Sequence, residues 1–594
     1  MNKNNNEDNV KDFKGTITKL LKYNKKYLIP VIITAILSML SSILSIIGPD
    51  KLKEMTNIII EGLMTKIDID KIKNIGLILV SFYLFSMIFN YLQAVIMANV
   101  TNKFSKRIRS EISIKINKLP LSYFDTTTVG DILSRVTNDV DTISGTISQS
   151  VSELVSAITM FIGSIFMMFY TNWILAITAI LSTIMGFGLM AIILSKSQKY
   201  FNNLQTEIGN MNGHIEEVYS GHNVVRAYNA KKEVDKEFDA INERLFINGN
   251  KSQFYSGLMQ PLMAFIGNFG YVAVCVVGAI LTMNDVISFG VIVAFMIYIR
   301  LFTHPLTSIA QSLSGLQSSA AAAERVFEFL EEQEMLDESN KKQYLDKTKV
   351  KGNIEFKNVN FGYTKEKTII KDFNAEIKAG EKIAIVGPTG AGKTTLVNLL
   401  MRFYEYDGEI LIDGISAKSL TRDNIHELFT MVLQDTWLFE GTIKENIRYN
   451  QESVTDEQIV EACKVVGLDH FIRTLPNGYD TVLNDVDSLS IGQKQLLTIA
   501  RCMVVTSPFL ILDEATSNVD TRTEILVQEA MDKLTHGRTS FIIAHRLSTI
   551  KNANLILVLK DGNIVEQGTH KELLKLNGFY AELYNSQFQN AEVD

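Results

Sequence analysis

Three cysteines stand in 594 residues, Cys275, Cys463 and Cys502, far apart and odd in number. They build neither a disulfide framework nor a zinc site, both of which need paired, closely spaced ligands. Proline is scarce at eight residues, and with 35 glycines the composition excludes collagen-like and low-complexity chains. A basic excess is missing as well. Lys and Arg number 58 against 65 Asp and Glu, a net charge of −7, which argues against a nucleic-acid partner. Charge is absent altogether from long stretches of the first half. Apolar runs lie near 27–48, 74–99, 147–170, 174–195, 257–283 and 287–309. Each approaches or exceeds the ~20 residues that carry a helix across a bilayer. The run YLIPVIITAILSMLSSILSIIG has no charged stripe of the kind a soluble core helix would show. It is too long for a signal peptide, and no small-residue cleavage site follows it.

Six spans place both ends on one side. The stretch KDFKGTITKLLKYNKKY before the first reads as a helix on the membrane surface, and its lysines predict a cytoplasmic N-terminus. The connections after spans two and four are rich in Lys and Arg and periodic, so they read as helical extensions into the cytoplasm with a turn at each tip. The connections after spans three and five are very short and carry no Lys or Arg, whereas the one after span one holds Lys51, Lys53, Lys66 and Lys71, so the bias is imperfect. Four regions follow: a cytoplasmic N-terminal segment over 1–26, a transmembrane domain over 27–310, a linker over 311–350, and a domain over 351–594 whose β-rich runs alternate with amphipathic helices. The predicted fold class is multidomain: an all-α six-helix transmembrane domain, followed by an α/β domain in which GPTGAGKT forms a phosphate-binding loop and so marks a P-loop ATPase domain.

The chemistry sits in the second half. KIAIVGPTGAGKTTLVN is an apolar strand, a phosphate-binding loop G-x-x-x-x-G-K-[ST] and a helix. Gly387, Gly390 and Gly392, with Pro388, Thr389 and Ala391 between them, let backbone amides wrap an anion at a helix N-terminus. Lys393 reaches toward β- and γ-phosphates, and Thr394, followed by Thr395, offers a hydroxyl to Mg²⁺. The run FLILDEATSNVD is a buried strand ending at Asp513, a candidate Mg²⁺ ligand, with Glu514 next to it as general base for an attacking water. SFIIAH ends at His545, where a third strand would bring an imidazole to the γ-phosphate.

From these residues outward the chain resembles the ATP-binding cassette transporters, in particular half-transporters of the six-helix exporter type such as bacterial heterodimeric multidrug exporters. Tyr363 in FGYTKEK matches the aromatic that stacks on adenine. Gln434 in MVLQDTWLF matches the glutamine that touches Mg²⁺. LSIGQ matches the signature usually written LSGGQ, with Ser490, Gly492 and Gln493 as residues that close over ATP on the opposite cassette. SNVD matches the loop that puts Asp520 near the dimer interface. In the membrane half, 119–141 and 214–232 resemble the two intracellular loops, with tips expected near 121–128 and 207–216. The resemblance implies ATP and Mg²⁺ as cofactors, and hydrolysis coupled to outward transport of amphipathic substrates of multidrug or lipid type. It also implies location in the cell membrane with N-terminus and cassette in the cytoplasm, and partners in membrane lipid, a small amphipathic substrate and a second half-transporter.

Two departures bear on the partner. Ile491 stands where the signature usually has glycine, and NDVDS precedes it where family members commonly carry a glycine and a glutamate. With Glu514 and His545 intact, this fits the subunit of an asymmetric exporter that supplies full catalytic residues and an altered signature, and so favours a heterodimer over a homodimer. Alternatives are a peptide exporter, for which 1–26 leaves no room for a processing peptidase, and a homodimeric lipid flippase. In other classes stand an ATP-gated membrane sensor or channel and a soluble cassette ATPase. Within the spans, Thr34, Ser38, Ser41 and Ser45 share one helical face that serves either helix packing, the favoured reading, or a polar cavity. Arg300 is a charge inside the last span, or one near enough to its end to snorkel.

Overall fold

A computed structural model describes residues 12–63, 66–364, 366–433, 436–483, 489–513, 521–543 and 550–588. The chain divides into two compact units: one takes in residues up to 117 and 129–332, the other 118–128 and 333–594.

Among the described residues, six helices of the first unit are long and apolar enough to cross a membrane. Helix α1 (Phe13–Tyr23) is opened by Asp12, whose carboxylate accepts from the Gly15 amide. Then come α2 (Leu28–Leu63), α3 (Ile69–Lys118), the short α4 (Leu121–Phe124) and α5 (Val129–Ser134), a π-turn over Arg135–Asp139, α6 (Val140–Thr171), α7 (Trp173–Ser220), α8 (His222–Ala227), α9 (Lys231–Gly257), α10 (Met259–Met283) and α11 (Phe289–Glu331). Helix is the only open-ended way to satisfy every backbone group in hydrocarbon. Several of these helices outrun the ~30 Å hydrocarbon layer: at 1.5 Å per residue, the 50 residues of α3 reach about 75 Å. Helix α11 likewise continues through the small-residue run SSAAAAERV to Glu331, taking in the first half of the stretch that reads as linker.

The serine face of α2 is settled by its contacts. Ser41 and Ser86 hydroxyls are 2.7 Å apart, Ser42 and Ser156 are 2.8 Å apart, and Ser38 donates to the Ser152 carbonyl at 3.1 Å. All but Ser156 of these side chains are buried, so the face packs α2 against α3 and α6 rather than lining a cavity. The tips differ from each other. The first falls at α4, inside the expected 121–128. The second does not fall at 207–216. That stretch lies within α7, because Leu204, Glu207, Met211, His214 and Val218, spaced three and four apart, form its less exposed face, and Glu207 pairs with Arg244 of α9 at 3.0 Å. The helical face overrides Gly209 and Gly213. The chain turns only at Gly221, through α8 and Asn229, which sits at a left-handed φ of 53°.

The second unit is an α/β domain. An antiparallel sheet runs β2–β1–β4–β5, formed by β1 (Ile354–Phe361), β2 (Ile370–Ile377), β4 (Asp407–Ile412) and β5 (Ile415–Ser416). A six-stranded sheet runs β12–β11–β3–β10–β9–β6, formed by β3 (Lys382–Val386), β6 (Phe429–Val432), β9 (Phe509–Leu512), β10 (Thr539–Ile543), β11 (Leu555–Lys560) and the antiparallel edge β12 (Asn563–Gly568). Its five other strands are parallel, which explains why β9 and β10 are buried end to end. Phe356, Phe373, Leu396, Phe509 and Phe541 fill the core that joins the two sheets. Helices α12 (Lys393–Leu400), α13 (Arg422–Leu428), α14 (Ile443–Arg448), α15 (Asp456–Val465), α16 (Asp469–Thr474), α17 (Ile491–Met503) and α18 (Thr521–Thr535) complete the packing, with a two-residue ladder of β7 (Gly441–Thr442) and β8 (Val482–Leu483).

The segment entering this unit is held by Glu338. Its carboxylate meets the buried Arg402 at 2.8 Å and Arg422 at 2.9 Å. Burial pushes this carboxyl up, but the Arg422 amide and the charges of Lys341, Arg402 and Arg422 outweigh burial and hold it below the ordinary value of 4.5. A group whose folded pKa is lowered stabilises the fold above its unfolded value, and that contribution fades as pH falls through the lowered one. Glu338→Ala is expected to cost about 2 kcal/mol at neutral pH, because it removes one of the two carboxylates on the buried Arg402 and leaves Glu405 at 3.1 Å as the other. In thermal melts of the whole chain, the gap between variant and wild type should be constant above pH 5 and narrow below pH 4.5. A gap that widens on acidification refutes the assignment.

Candidate nucleotide site

The phosphate loop forms where a buried parallel strand, β3, hands over to α12. Two of its glycines are required by geometry. Gly392 caps α12 at φ +100°, and a Cβ there would lie 2.8 Å from Ile370 Cδ1; a Cβ on Gly387 would lie 2.4 Å from the Leu559 carbonyl oxygen. Gly390 shares the left-handed conformation at φ +84°. Between them Pro388 and Thr389 are exposed, while Ala391 is buried. The first-turn amides of α12 therefore open toward the glycine-rich loop, an arrangement that takes an anion.

Lys393 is only 8% exposed, yet its ammonium stays at the loop, donating to the carbonyls of Gly387 at 2.8 Å and Pro388 at 3.1 Å. A cation folded over the loop in this way adds positive potential where phosphate oxygens would sit. Thr394 is exposed, with its hydroxyl on the first turn, whereas Thr395 turns inward and lies 3.3 Å from the Tyr363 hydroxyl. Tyr363 itself is 47% exposed. Its ring stands edge-on to Phe361 at 5.0 Å and to Tyr404 at 5.1 Å, which fixes it upright beside the loop with room to stack.

Asp513 follows β9, and its amide donates to the Val432 carbonyl at 2.9 Å. Register carries it to the same edge as the loop. Ile542 pairs with Leu512 on one side and with Ala384 on the other, so Asp513 and Gly387 end strands two spacings apart, about 10 Å across the sheet. Glu514, His545 and Gln434 lie outside the described residues, as does Asp520. The strands that lead to the first three, β9, β10 and β6, are parallel neighbours. Oxygen donors at Thr394 and Asp513 suit a hard cation such as Mg²⁺.

The signature segment opens α17. Ser490 caps the helix, its hydroxyl accepting from the Gln493 amide at 3.2 Å, while the Gln493 side chain accepts from the Ser490 amide at 2.9 Å. Gly492 is buried. Ile491, at the first helical position, is 50% exposed. Sequence reading missed one contributor. The Tyr404 hydroxyl donates to Asp125 at 2.7 Å, tying the 118–128 tip to the ring that supports Tyr363. The available signal was an aromatic directly after α12 in RFYEY, with nothing local to mark its partner.

Residues 31–306 match the family described as ABC transporter transmembrane region, and residues 370–517 match the family described as ABC transporter. A fatty acid ABC transporter ATP-binding/permease protein of Mycobacterium bovis is 44% identical over 84% of this chain and 79% of its own length. An uncharacterized ABC transporter ATP-binding protein of Bacillus subtilis is 39% identical over 98% and 95%. An ATP-dependent lipid A-core flippase of Syntrophus aciditrophicus is 34% identical over 88% and 87%.

Gly392→Ala would force a Cβ into a left-handed position against Ile370. Displacing this cap should weaken ATP binding by about five- to 150-fold, the strain being worth about 1–3 kcal/mol. Equilibrium titration with a fluorescent ATP analogue checks this, and an unchanged affinity would show that the loop tolerates a side chain there.

Proposed function

The chain belongs to the ABC transporter family, whose members hydrolyse ATP to drive transport, and from that premise we propose that it is one half of an exporter that moves amphipathic substrates of multidrug or lipid type outward across the cell membrane. The N-terminus and cassette face the cytoplasm. The lipid reading draws support from relatives named for fatty acid transport and lipid A-core flipping. Substrate and membrane lipid meet the six-helix unit, and ATP meets the cassette.

In this reading Tyr363 stacks on adenine, and the amides of 387–392 with Lys393 hold the phosphates. Thr394, Asp513 and Gln434 would hold Mg²⁺, which supplies neutralisation of the phosphate charge when bound. Glu514 takes the proton of the attacking water, and His545 orients that water against the γ-phosphate. Ser490, Gly492 and Gln493 of one cassette close over ATP on the other. Closure favours one orientation of the membrane helices and hydrolysis releases it, so transport follows from differential affinity between states.

The single observation that carries the assembly is Ile491. Its branched side chain stands half-exposed at the first position of α17, where close approach of a phosphate to helix amides favours glycine. That supports pairing with a related half-transporter whose own signature is intact, so that the site built on this chain's Glu514 is the one that turns over. Purified alone, this chain should show little transport-coupled ATPase; robust activity from a self-dimer would sink the heterodimer reading in favour of a homodimeric flippase. In the assembled transporter, Glu514→Gln should keep ATP affinity and lose about 10²–10⁴-fold in turnover. Wild-type turnover in that variant, measured by phosphate release, would remove Glu514 from the role of base.

A further inference from the structure

The chain enters its first span through a basic segment. Residues 11–27 hold six lysines and one acidic residue, Asp12. The charge-free stretch 28–49 that follows is 22 residues long, about 33 Å at 1.5 Å per residue, and so matches the ~30 Å hydrocarbon layer from edge to edge. Leu28 therefore stands at the hydrocarbon boundary. Lys25 and Lys26 precede it by three and two residues, which places them within about 5 Å of that boundary, in the headgroup layer.

Helix α1 carries three faces. Thr16 and Leu20 are buried, and on the same side the Tyr23 ring stands edge-on to Phe104 of α3 at 6.1 Å and to Phe327 of α11 at 5.7 Å. The Tyr23 hydroxyl donates to Glu111, and the Arg107 guanidinium lies 4.4 Å from its ring centre. Lys19 pairs with Glu331, the last residue of α11, at 2.7 Å. This side of α1 staples two long helices together. The next face is apolar and open. Phe13, Ile17 and Leu21 recur at steps of four, with Phe13 44% and Leu21 53% exposed. A helix packed on a soluble surface would turn polar residues outward there. The third face is basic. Lys14 and Lys22 are exposed, as are Lys25 and Lys26 just beyond the helix, and none of the four forms an ion pair among the described residues.

Apolar side chains beside lysines without counter-charges, at the mouth of a span, suit one surface: a bilayer whose headgroups are negative. A neutral bilayer would satisfy Phe13 and Leu21 but not the lysines. A soluble acidic partner would satisfy the lysines but not Phe13 and Leu21.

We infer that α1 with Lys25 and Lys26 is a docking surface for anionic phospholipid, in which Phe13 and Leu21 enter the acyl boundary and Lys14, Lys22, Lys25 and Lys26 meet the negative headgroups. Docking fixes α1, and Tyr23 then holds α3 and α11 together, so the charge of the surrounding lipid sets the turnover of the transporter. The inference goes beyond the exporter reading and rests on it only for that effect on turnover. Each lysine near such a surface is worth about fivefold in partition, and the four together roughly 10²–10³-fold.

The test uses the transporter purified with the second subunit its membrane supplies, reconstituted in vesicles of phosphatidylcholine or of phosphatidylcholine with phosphatidylglycerol. Hydrogen exchange of the α1 amides and ATPase are read on the same samples. Exchange over 13–23 should slow about tenfold or more in the phosphatidylglycerol vesicles, within the range the four lysines allow, and high salt should shrink that difference by screening. ATPase should rise with it. A variant combining Lys14→Gln, Lys22→Gln, Lys25→Gln and Lys26→Gln should lose both responses, yet keep the ATP affinity that reports a folded chain. Tyr23→Ala should keep the slowed exchange and lose the rise in ATPase, and Tyr23→Phe should recover most of that rise. Equal exchange in the two kinds of vesicle, or a slowing that survives the four-lysine change, overturns anionic docking. Slowed exchange with unchanged ATPase overturns the link through Tyr23. ATPase missing from every vesicle strikes the exporter reading, while the exchange result still decides docking.

Discussion

A peptide N–H in hydrocarbon has no water to turn to, and each one left unpaired costs several kcal/mol. That constraint forces the first half of this chain into helices and, because a helix has no reason to stop at the membrane surface, lets them continue far beyond it. Helix α3 holds 50 residues and α7 holds 48, against the ~20 that a bilayer asks for. With the backbone satisfied internally, what remains to decide packing is side-chain chemistry. The Ser41–Ser86 and Ser42–Ser156 contacts show how: small hydroxyls bring α2 close to α3 and α6 and satisfy one another where no water reaches.

The second unit answers a different constraint. Parallel strands buried on both faces bring their carboxyl ends to one edge, and chemistry that needs several elements at once collects there. β3 delivers the phosphate loop, β9 delivers Asp513, and β6 and β10 lead toward Gln434 and His545. Tolerance at that edge is low. The left-handed Gly392, the Gly387 Cβ position facing the Leu559 carbonyl, and the buried stem of Lys393 each leave space for one arrangement.

Much of this was legible in the sequence because the signals are local. A glycine-rich loop between an apolar strand and a helix carries its own context, as do charge-free runs longer than a bilayer is thick. Less was legible where partners are distant or where two local rules conflict. Gly209 and Gly213 advertise a turn, yet the three-and-four spacing from Leu204 to Val218 against α9 keeps α7 helical to Ser220. Tyr404 and Asp125 are 279 residues apart, and nothing near either marks the other.

The contact of Tyr404 with Asp125 has a bearing on how such chains diverge. Segment 118–128 is separated from the cassette by more than two hundred residues of membrane helix, yet it belongs to the cassette's compact unit. Asp125 accepts from Tyr404, and the Lys118 carbonyl accepts from the Met335 amide. The cassette is therefore a discontinuous module. Recombination that exchanges everything after residue 350 would bring a foreign Tyr404 position to a resident Asp125, and leave the recipient with half of a matched pair. Inheritance of a working cassette requires two distant stretches of the gene to travel, or to drift, together.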